Sequence, residues 1–411
     1  MNQSAGAAVN QHRASPDGAM PGAARIFVGL LKHMKQGVLT LRLPSGETMH
    51  FGTHPDEGAA ELHISDWRAC GAILKSGDIG FAHAYGNGWA DSPDTTALIK
   101  LAMKNEAALA TAVNGNLFGR LWYGLLHRLR RNTRAGSRRN IHAHYDIGNA
   151  FYRLWLDPTW TYSSALFDGD YGRTLQAAQE AKYQRIVERL GLQPGMRVLE
   201  IGCGWGGFAL HAARLGVQVH GVTISAAQLQ VAQERVREAR LEALVQLELR
   251  DYRDLHGAYD AVVSIEMFEA VGEAYWPRYF DTVRRCLAPH GQALIQSITI
   301  ADQRFADYRA GSDFVREYIF PGGMLPSPEA FSRKAAAHGL HVVDALAFGR
   351  DYAETLRRWR AMFESQLSQI RQQGFDDAFI RIWRLYYQYC EAGFDIGNID
   401  VYQFHLQEAE Q

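Results

Sequence analysis

A glycine-rich turn within residues 198–207 is the segment whose residue types point most directly to chemistry. An apolar, strand-like run leads into Gly202, Gly204 and Gly206, and a helical pattern follows at once. Glycines permit positive φ angles and let a ligand approach the backbone closely, while the start of a helix offers unpaired N–H groups. Such a turn can bind a dinucleotide, bind S-adenosylmethionine or simply reverse the chain.

The acidic residues near this turn separate these alternatives. A dinucleotide-binding fingerprint places a carboxylate about 20 residues beyond the glycines, where it holds a ribose. Here the second predicted strand runs into residues 221–225, which contain no carboxylate. The acid stands on the first strand instead, at Glu200, and Asp251 and Tyr252 follow the third strand, where class I methyltransferases cradle the adenine. The pattern therefore favours S-adenosylmethionine.

Short apolar runs alternate with helix-length segments from residue 195 onward. This alternation predicts right-handed crossovers and a mainly parallel sheet with helices on both faces. We therefore predict an α/β fold, a Rossmann-like class I methyltransferase sheet with helical additions at 354–373 and 378–392. The predicted strands are Arg197–Ile201, Gln218–Thr223, Val245–Leu249, 258–264 and 293–300, and the first two predicted helices are Gly207–Arg214 and 226–239.

The N-terminal third has a different pattern, which predicts a small α/β domain. A turn joins strand-like segments 37–43 and 48–51, as in a hairpin, and 66–76 and 95–112 look helical. We predict four parts, which are a mobile tail at 1–22, an N-terminal domain at 23–116, a basic and aromatic linker at 117–140, and a catalytic domain at 141–411.

Composition excludes several classes of protein. The 411 residues carry 43 basic and 44 acidic side chains, so the net charge is −1 and bulk electrostatic coating of nucleic acid is not expected. No run reaches the ~18 apolar residues of a membrane-spanning helix, and the first twenty residues lack the apolar core of a secretory signal. Four cysteines without a CxxC pair fit a reducing cytoplasm.

The predicted linker at 117–140 qualifies the near-neutral total. Its first half is rich in Leu, Phe, Trp and Tyr, and six arginines follow between Arg128 and Arg139, with no acidic residue from 117 to 145. A solvated helix face is the plain interpretation. Arginines beside aromatic residues also suit adsorption to anionic headgroups, and no nucleic-acid motif accompanies them. We therefore predict a protein bound peripherally to the inner face of the membrane.

At the level of motifs the chain resembles the cyclopropane fatty acid synthase family over nearly its whole length. The matching segments are HYDIGN at 144–149, TYSSA at 161–165, the turn at 202–207, GVTISAAQ at 221–228, MFE at 267–269, YIFPGGMLP at 318–326 and DY at 351–352. The resemblance implies methyl transfer from S-adenosylmethionine to the double bond of an unsaturated acyl chain in a membrane phospholipid. Proton loss from the new methyl then closes a cyclopropane ring. The resemblance further implies that the N-terminal domain at 23–116 engages lipid. Many relatives dimerise, so a homodimer is an open expectation.

The resemblance also implies which residues hold the cofactor and which surround the reacting carbon atoms. The implied cofactor-binding residues, together with Glu200 and Asp251 from the strand pattern, are Tyr162, Ser163, Gly202, Gly204, Gly206, Thr223, Ser225, Gln228 and Tyr252. In the family a bound bicarbonate is the base, held by Glu, His, Tyr and backbone near a Cys and an Ile. Glu269, Tyr352 and Ile298 match three of these positions, with Glu269 our first choice for holding the base.

Two positions depart from the family pattern. Ser164 stands where the family has Cys, and Gln296 stands where it has His. The amide of Gln can donate a hydrogen bond but cannot titrate near neutral pH. The segment MFEAVG, where the family reads MFEHVG, is also preceded by Glu266. Without the resemblance, Glu269 would be read as a salt-bridging or helix-start acid and Tyr352 as a core tyrosine.

Cys390 corresponds to a cysteine long treated as reactive in the family. Its sequence neighbours include no cationic activator, so we predict a core or substrate-adjacent thiol. The substitutions leave the product open as well. Cyclopropanation is the first expectation, and a methyl-branched or methylene product is the alternative. A soluble small-molecule methyltransferase and a non-catalytic lipid-binding protein are further alternatives.

Overall fold

The computed structural model describes residues 20–113 and 147–408. The predicted basic linker at 117–140 and most of the predicted tail lie outside these ranges, as does the first half of the motif at 144–149. Within the described ranges, no helix has both the length and the apolar composition to cross a membrane.

The N-terminal unit is a four-stranded sheet flanked by helices. Its elements are α1 (Gly22–Leu31), β1 (Gly37–Arg42), β2 (Thr48–His54), β3 (Ala59–Ile64), α2 (Arg68–Gly86), β4 (Ala90–Asp91), α3 (Thr95–Lys104) and α4 (Glu106–Val113). The strand order is β2-β1-β3-β4, with the predicted hairpin formed by β1 and β2 and with β3 parallel to β1. Alternate residues of β1 and β3, among them Leu39, Leu41 and Leu62, are buried against the helices.

The predicted helix at 66–76 is longer and kinked. Non-helical backbone at Ser76 and Gly77 interrupts α2, and Gly77 has φ of 56° and ψ of −125°. Glycine tolerates this conformation because it lacks a Cβ, so the chain bends and continues to Gly86. The predicted helix at 95–112 is likewise divided between α3 and α4 at Asn105, whose side chain accepts the backbone N–H groups of Lys35 and Gln36.

The larger unit contains a seven-stranded sheet. Its first half comprises α5 (Asn149–Arg153), α6 (Leu175–Arg189), β5 (Arg197–Ile201), α7 (Gly207–Arg214), β6 (Gln218–Thr223), α8 (Ala226–Glu238), β7 (Val245–Leu249) and β8 (Tyr259–Ile265). Its second half comprises α9 (Trp276–Cys286), β9 (Leu287–Ile300), α10 (Asp302–Ala310), α11 (Pro328–Ala336), β10 (Leu340–Ala347), α12 (Gly349–Ser365), α13 (Leu367–Gln372), α14 (Asp377–Asp395) and β11 (Ile399–Glu408).

The strand order of this sheet is β10-β11-β9-β8-β5-β6-β7. Strands β7, β6, β5, β8 and β9 are parallel, and β11 pairs antiparallel with both β9 and β10. The sequence did not predict β10 and β11. Strand β10 precedes the helical additions and β11 follows them, and a register irregularity between Val342 and Asp344 interrupts the pairing of β10 with β11.

The helical additions join the two units. Helix α14 packs against α12 on one side and against α2 and α3 of the N-terminal unit on another. Arg381 Nη1 lies 3.0 Å from Asp91 Oδ2, and Lys100 pairs with Asp395. Next to this junction a buried aromatic cluster fills the space between the additions and the sheet, and its members include Phe151, Trp155, Tyr162, Trp359, Trp383 and Tyr387.

Candidate active site

A cavity of about 1260 Å³ lies between the carboxyl ends of the sheet strands and the N-terminal unit. Ile201 of β5 and Ile265 of β8 lie on its floor, beside the glycine-rich turn. Phe27, Leu62 and Leu98 of the N-terminal unit line its far end. Most of its wall is apolar, so the cavity combines a polar end at the turn with a long hydrophobic end.

The glycine-rich turn has the backbone that its sequence predicts. Gly202, Gly204 and Gly206 all have positive φ angles, of 86°, 52° and 80°. A Cβ added at position 202 would lie 2.8 Å from Met267 Cγ, a distance at which the neighbour must move. Glycine is therefore required at 202 both by conformation and by space, and the turn keeps its backbone open toward the cavity.

Glu200 lines the polar end of the cavity, beside the glycine-rich turn. Its side chain is buried, and Oε2 has no hydrogen-bond partner among the described residues. Burial raises the pKa of this carboxyl to about 8, although the charge of Lys182 opposes the shift. A buried acceptor of this kind needs a donor. An ammonium or a ribose hydroxyl would supply one, and S-adenosylmethionine carries both, so these residues fit the predicted cofactor.

The other predicted cofactor-binding residues on the strand ends divide into two groups. Thr223, Gln228, Asp251 and Tyr252 line the cavity. Ser225 instead caps α8, where its Oγ accepts the N–H of Gln228 at 3.3 Å, and it is not part of the cavity wall. Its contribution to binding remains a prediction.

Asp251 is tied to a neighbouring arginine. Arg253 donates to the two carboxylate oxygens of Asp251 at 2.8 and 2.6 Å, and both side chains are buried. The pair fixes the short turn Tyr252–Asp254 at the cavity wall. Burial also raises the pKa of Tyr252 to about 12, so this phenol is neutral and available for stacking or hydrogen bonding.

Ser163 is held by a buried lysine that the sequence pattern did not predict. Lys182 Nζ donates to Ser163 Oγ at 2.6 Å and to Gln179 Oε1 at 2.8 Å, and Gln179 Nε2 donates to the carbonyl of Ser163 at 2.8 Å. Burial lowers the pKa of Lys182 to about 7, against the charges of Glu266, Asp157 and Glu200. The helical spacing of Ala178, Lys182 and Ile186 on one buried face was the signal that could have revealed it.

Glu266 is the centre of the polar network at the carboxyl ends of β8 and β9. Its Oε1 accepts the backbone N–H of Ser164 at 2.8 Å and Nε2 of Gln296 at 2.7 Å. Its Oε2 accepts the hydroxyl of Tyr352 at 2.6 Å. In the sequence Glu266 stands out only as the residue before a motif, yet three predicted site residues donate hydrogen bonds to its carboxylate.

The amide of Gln296 has a fixed orientation. Its Oε1 accepts Nε2 of Gln403 at 3.0 Å, and Gln403 Oε1 in turn accepts a hydrogen bond from Arg185. Because Arg185 can only donate, this chain forces the amide nitrogen of Gln296 toward Glu266. The residue that replaces the family histidine is therefore a hydrogen-bond donor within the site.

Glu269 lies three residues after Glu266, in the short 3-10 turn Phe268–Ala270, and also lines the cavity. Its Oε1 accepts the backbone N–H of Ile298, while Oε2 is buried without a partner among the described residues. Burial and the nearby charge of Glu266 raise the pKa of Glu269 to about 8. At neutral pH Glu269 is therefore largely a neutral acid, beside the carboxylate of Glu266.

The residues present do not fit a separate bicarbonate. The resemblance gives bicarbonate the side chains at 269, 296 and 352 and the backbone at 164 and 298. In the structure the N–H of residue 164 and the side chains at 296 and 352 donate to Glu266, and the N–H of residue 298 donates to Glu269 itself. These donors already bind Glu266 and Glu269, so they are not available to a bicarbonate ion. The carboxylate of Glu266 would also repel such an anion.

Cys390 lines the cavity but has no activating environment. Burial raises the pKa of its thiol, and the charge of Asp313 adds to the shift. A thiol must ionise to act as a nucleophile, and this environment opposes ionisation; the role of Cys390 as a substrate-adjacent thiol stays a prediction. Cys70, Cys203 and Cys286 are buried and free.

In the seven-stranded sheet one strand, β11, runs antiparallel beside β9, and a glycine-rich turn that lines the cavity follows β5. This strand order and this turn define a class I S-adenosylmethionine-dependent methyltransferase fold. Residues 132–404 match the family described as mycolic acid cyclopropane synthetase. The chain belongs to this family, and the predicted family and fold class are confirmed.

Individual relatives agree with this assignment. Tuberculostearic acid methyltransferase UfaA1 of Mycobacterium tuberculosis is 43% identical over 282 residues, which cover 67% of this chain and 66% of the relative. Cyclopropane-fatty-acyl-phospholipid synthase of Escherichia coli K12 is 34% identical over 337 residues, covering 80% and 83%. The crystal structure of mycolic acid cyclopropane synthase CmaA1 complexed with SAH and CTAB is 34% identical, with a TM-score of 0.61 and coverage of 66% and 98%.

These relatives confirm the predicted dependence on S-adenosylmethionine at the level of the family. The chain spans between 64% and 67% of the length of the first three curated relatives. Their printed names include both fatty acid methyltransferases and cyclopropane synthases. The substrate, the product and the residues that act on them are therefore matters for proposal.

Proposed function

We propose that this protein transfers the methyl group of S-adenosylmethionine to the double bond of an unsaturated acyl chain in a membrane phospholipid. One observation carries the proposal. A single cavity joins the glycine-rich turn and Glu200 to the apolar interior of the N-terminal unit. A sulfonium cofactor at the first end and an alkyl chain along the second would meet beside Glu266 and Glu269.

S-adenosylmethionine would supply an electrophilic methyl group, and the chain's own residues would do the rest. An alkene is a weak nucleophile, so its position and the exclusion of water decide the rate. Tyr162, Phe320 and Tyr386 form aromatic wall beside the polar end. Aromatic faces stabilise a nearby cation, and the carboxylate of Glu266 adds negative charge where a carbocation would develop.

A phospholipid at the inner face of the cytoplasmic membrane is the proposed form of the substrate. On α1, Phe27 and Leu31 line the cavity while Ile26 is 60% exposed. Exposed Lys32 and Lys35 follow directly. An apolar helix face beside cations suits the surface of an anionic bilayer, so an acyl chain could enter the cavity along α1. The arginines at 128–139 would add to this attraction.

Ring closure is the first product that family membership supports, and a methyl-branched or methylene chain is the second candidate. The second is favoured by the 43% identity to a tuberculostearic acid methyltransferase, against 34% to the two cyclopropane synthases. Both products begin with the same methyl transfer. They differ in whether the cation closes onto the new methyl or first undergoes a hydride shift.

The deciding experiment supplies methyl-labelled S-adenosylmethionine and vesicles of monounsaturated phosphatidylglycerol, with bicarbonate present. We expect label in the acyl chains, and NMR with mass spectrometry of those chains then distinguishes a ring from a branch. Vesicles with saturated chains are the control and should remain unlabelled. Label found only in protein or in soluble small molecules, or no label at all, would overturn the proposal in favour of a soluble methyltransferase or a non-catalytic protein.

A further inference from the structure

The carboxylate of Glu266 has an environment that stabilises negative charge from three directions. Ser164 N–H and Gln296 Nε2 donate to one oxygen, and the hydroxyl of Tyr352 donates to the other. The three donors come from the loop before α6, from β9 and from α12. Charge-assisted hydrogen bonds of this kind are stronger than neutral ones, so the structure is built to hold an anion here.

The anion that these three donors hold is the side chain of Glu266 itself. Three of the donors that the resemblance assigns to bicarbonate, at Ser164, Gln296 and Tyr352, point at Glu266, and the amide of Gln296 is oriented by Gln403 so that it donates to Glu266. Glu266 therefore stands in the place where a bound base would be held. The backbone supports the same conclusion, because Glu266 has φ of 49°, a left-handed conformation that costs energy for a residue with a Cβ.

From this geometry we infer that Glu266 is itself the general base that removes the proton after methyl transfer, in place of bicarbonate. The inference rests on the proposed function. Within the described residues, Oε1 receives two hydrogen bonds and Oε2 receives one, from Tyr352. A carboxylate oxygen has two lone pairs. One lone pair of Oε2 is thus open to a proton from the cavity, which Glu266 lines.

The step balances without any further reagent. The alkene π electrons form the new C–C bond as the C–S bond breaks, and S-adenosylhomocysteine carries away the bonding pair. The adjacent carbon becomes a cation. Glu266 then takes a proton from the new methyl group, and the released C–H pair closes the ring or, after a hydride shift, forms a methylene double bond. The protonated Glu266 returns its proton to water when the product leaves.

The surrounding charges suit this role. Burial raises the pKa of Glu266, while the Tyr352 hydroxyl, the charge of Lys182 and the Ser164 and Gln296 donors oppose the rise. Glu269, the other acid of the site, has its pKa raised to about 8 partly by Glu266 and carries little charge at neutral pH. A base works best when its pKa lies near the working pH, and the three donors to Glu266 stabilise its charged form against the effect of burial.

A purely structural role for Glu266 is the competing explanation, because its hydrogen bonds also tie three elements together. The first test therefore leaves the chain unchanged. Wild-type protein is assayed for acyl labelling in buffer freed of carbon dioxide and again with added bicarbonate. We expect rates that agree within about twofold. A fall of tenfold or more that bicarbonate restores would overturn the inference and leave the proposed function intact, whereas absence of labelling in both buffers would contradict the proposed function itself.

The second test changes Glu266. Glu266→Gln keeps the shape but removes the base, and we expect labelling to fall by about 100-fold or more, the usual contribution of a general base. The dissociation constant of S-adenosylhomocysteine should change by less than about threefold. Glu273→Gln is the matched control, since Glu273 pairs with Arg309 at the surface and lies outside the cavity wall. It should retain full activity.

Glu266→Gly separates catalysis from folding. Glycine accepts the left-handed backbone at 266 without strain, and its small size leaves room beside the Ser164, Gln296 and Tyr352 donors. We expect formate or bicarbonate at millimolar concentrations to raise the activity of this variant at least tenfold. The same additions should not raise the activity of the wild-type protein. Rescue that increases with the basicity of the added carboxylate supports a base at this position. A folded, cofactor-binding Glu266→Gly protein that stays fully active without any added anion would contradict the inference.

Discussion

Gln296 on β9 and Gln403 on β11 are register partners in the sheet, and Gln403 Nε2 donates to Gln296 Oε1 at 3.0 Å. This contact decides which end of the Gln296 amide faces Glu266. The hydrogen bond lies outside the cavity wall, so Gln403 acts through Gln296 and not on the substrate. A positioning residue of this kind should affect turnover more than binding.

Gln403→Leu tests that relationship. It removes the donor that orients Gln296, and we expect kcat to fall by about 5- to 30-fold, the effect of roughly 1–2 kcal/mol for a lost buried hydrogen bond. The KM for S-adenosylmethionine should change by less than about twofold. Gln407→Leu, a similar change further along β11 opposite Gln292, is the control. Equal losses in both variants would indicate a general effect on the strand.

The raised pKa of Glu269 predicts how the free energy of unfolding depends on pH. Burial and the charge of Glu266 raise its pKa from 4.5 to about 8 in the folded protein. The folded state therefore binds this proton more tightly than the unfolded state, and the associated stability is present below pH 4.5 and lost as pH rises through 8. Glu269→Gln cannot lose a proton, so its unfolding free energy should decline less between pH 5.5 and 8.5.

The measurement is urea unfolding of both proteins at these two pH values, without cofactor. Between these two pH values the unfolding free energy should fall more in the wild type than in Glu269→Gln. The difference is at most about 4 kcal/mol, the limit for one carboxyl over about three pH units. Glu248→Gln is a useful control, because the pKa of Glu248 is lowered and not raised. A wild-type protein and a Glu269→Gln protein with the same pH dependence would show that Glu269 is ionised in the fold.

The strands that the sequence predicted well are those whose apolar runs have clear ends. Arg197–Ile201, Gln218–Thr223 and Val245–Leu249 match their predicted bounds. Strand β9 begins at Leu287, six residues before the predicted start, because Pro289 and Gly291 within it look like a turn in the sequence. Burial on both faces demands continuous apolar residues in a central strand such as β5, whereas the edge strand β7 is marked by the alternation of apolar and polar residues in Val245–Leu249.

The site was less predictable, since its contacts are distant in sequence. Ser164, Gln296 and Tyr352 lie 102, 30 and 86 residues from Glu266, and only the folded sheet and α12 bring them together. Motif resemblance found the three donors but assigned them to an external anion. The acceptor was visible in the sequence as a single glutamate, and nothing local distinguished it from an ordinary surface acid.

Lys182 should set the acid limb of the pH–rate profile. Its charge lowers the pKa of both Glu200 and Glu266. Lys182→Met removes that charge, so both carboxyls should protonate at higher pH, and the acid limb of kcat/KM should move up by about one unit, as expected for loss of a near opposite charge. Lys334→Met on α11 is the control and should leave the profile unchanged. A lower activity with an unmoved limb would indicate that Lys182 only supports Ser163.

Gly202 and Gly169 offer a matched pair for the cofactor turn. Both have left-handed backbone, with φ of 86° and 77°, but a Cβ at 202 would press on Met267 whereas one at 169 would meet no atom within 4 Å. Gly169→Ala should therefore lose only about 1–2 kcal/mol of stability, the cost of the left-handed conformation. Gly202→Ala carries the same cost and also displaces the wall beside the turn.

The readouts are thermal unfolding of each variant and calorimetric titration with S-adenosylhomocysteine. We expect Gly202→Ala to weaken binding by about tenfold or more, since about 1.4 kcal/mol of steric cost at the turn corresponds to that factor. Gly169→Ala should bind as wild type does. If both variants lose stability equally and both keep wild-type affinity, the turn can accommodate a Cβ at position 202 without disturbing the ligand. The close approach of backbone to cofactor would then have to lie at Gly204, where a Cβ meets open space.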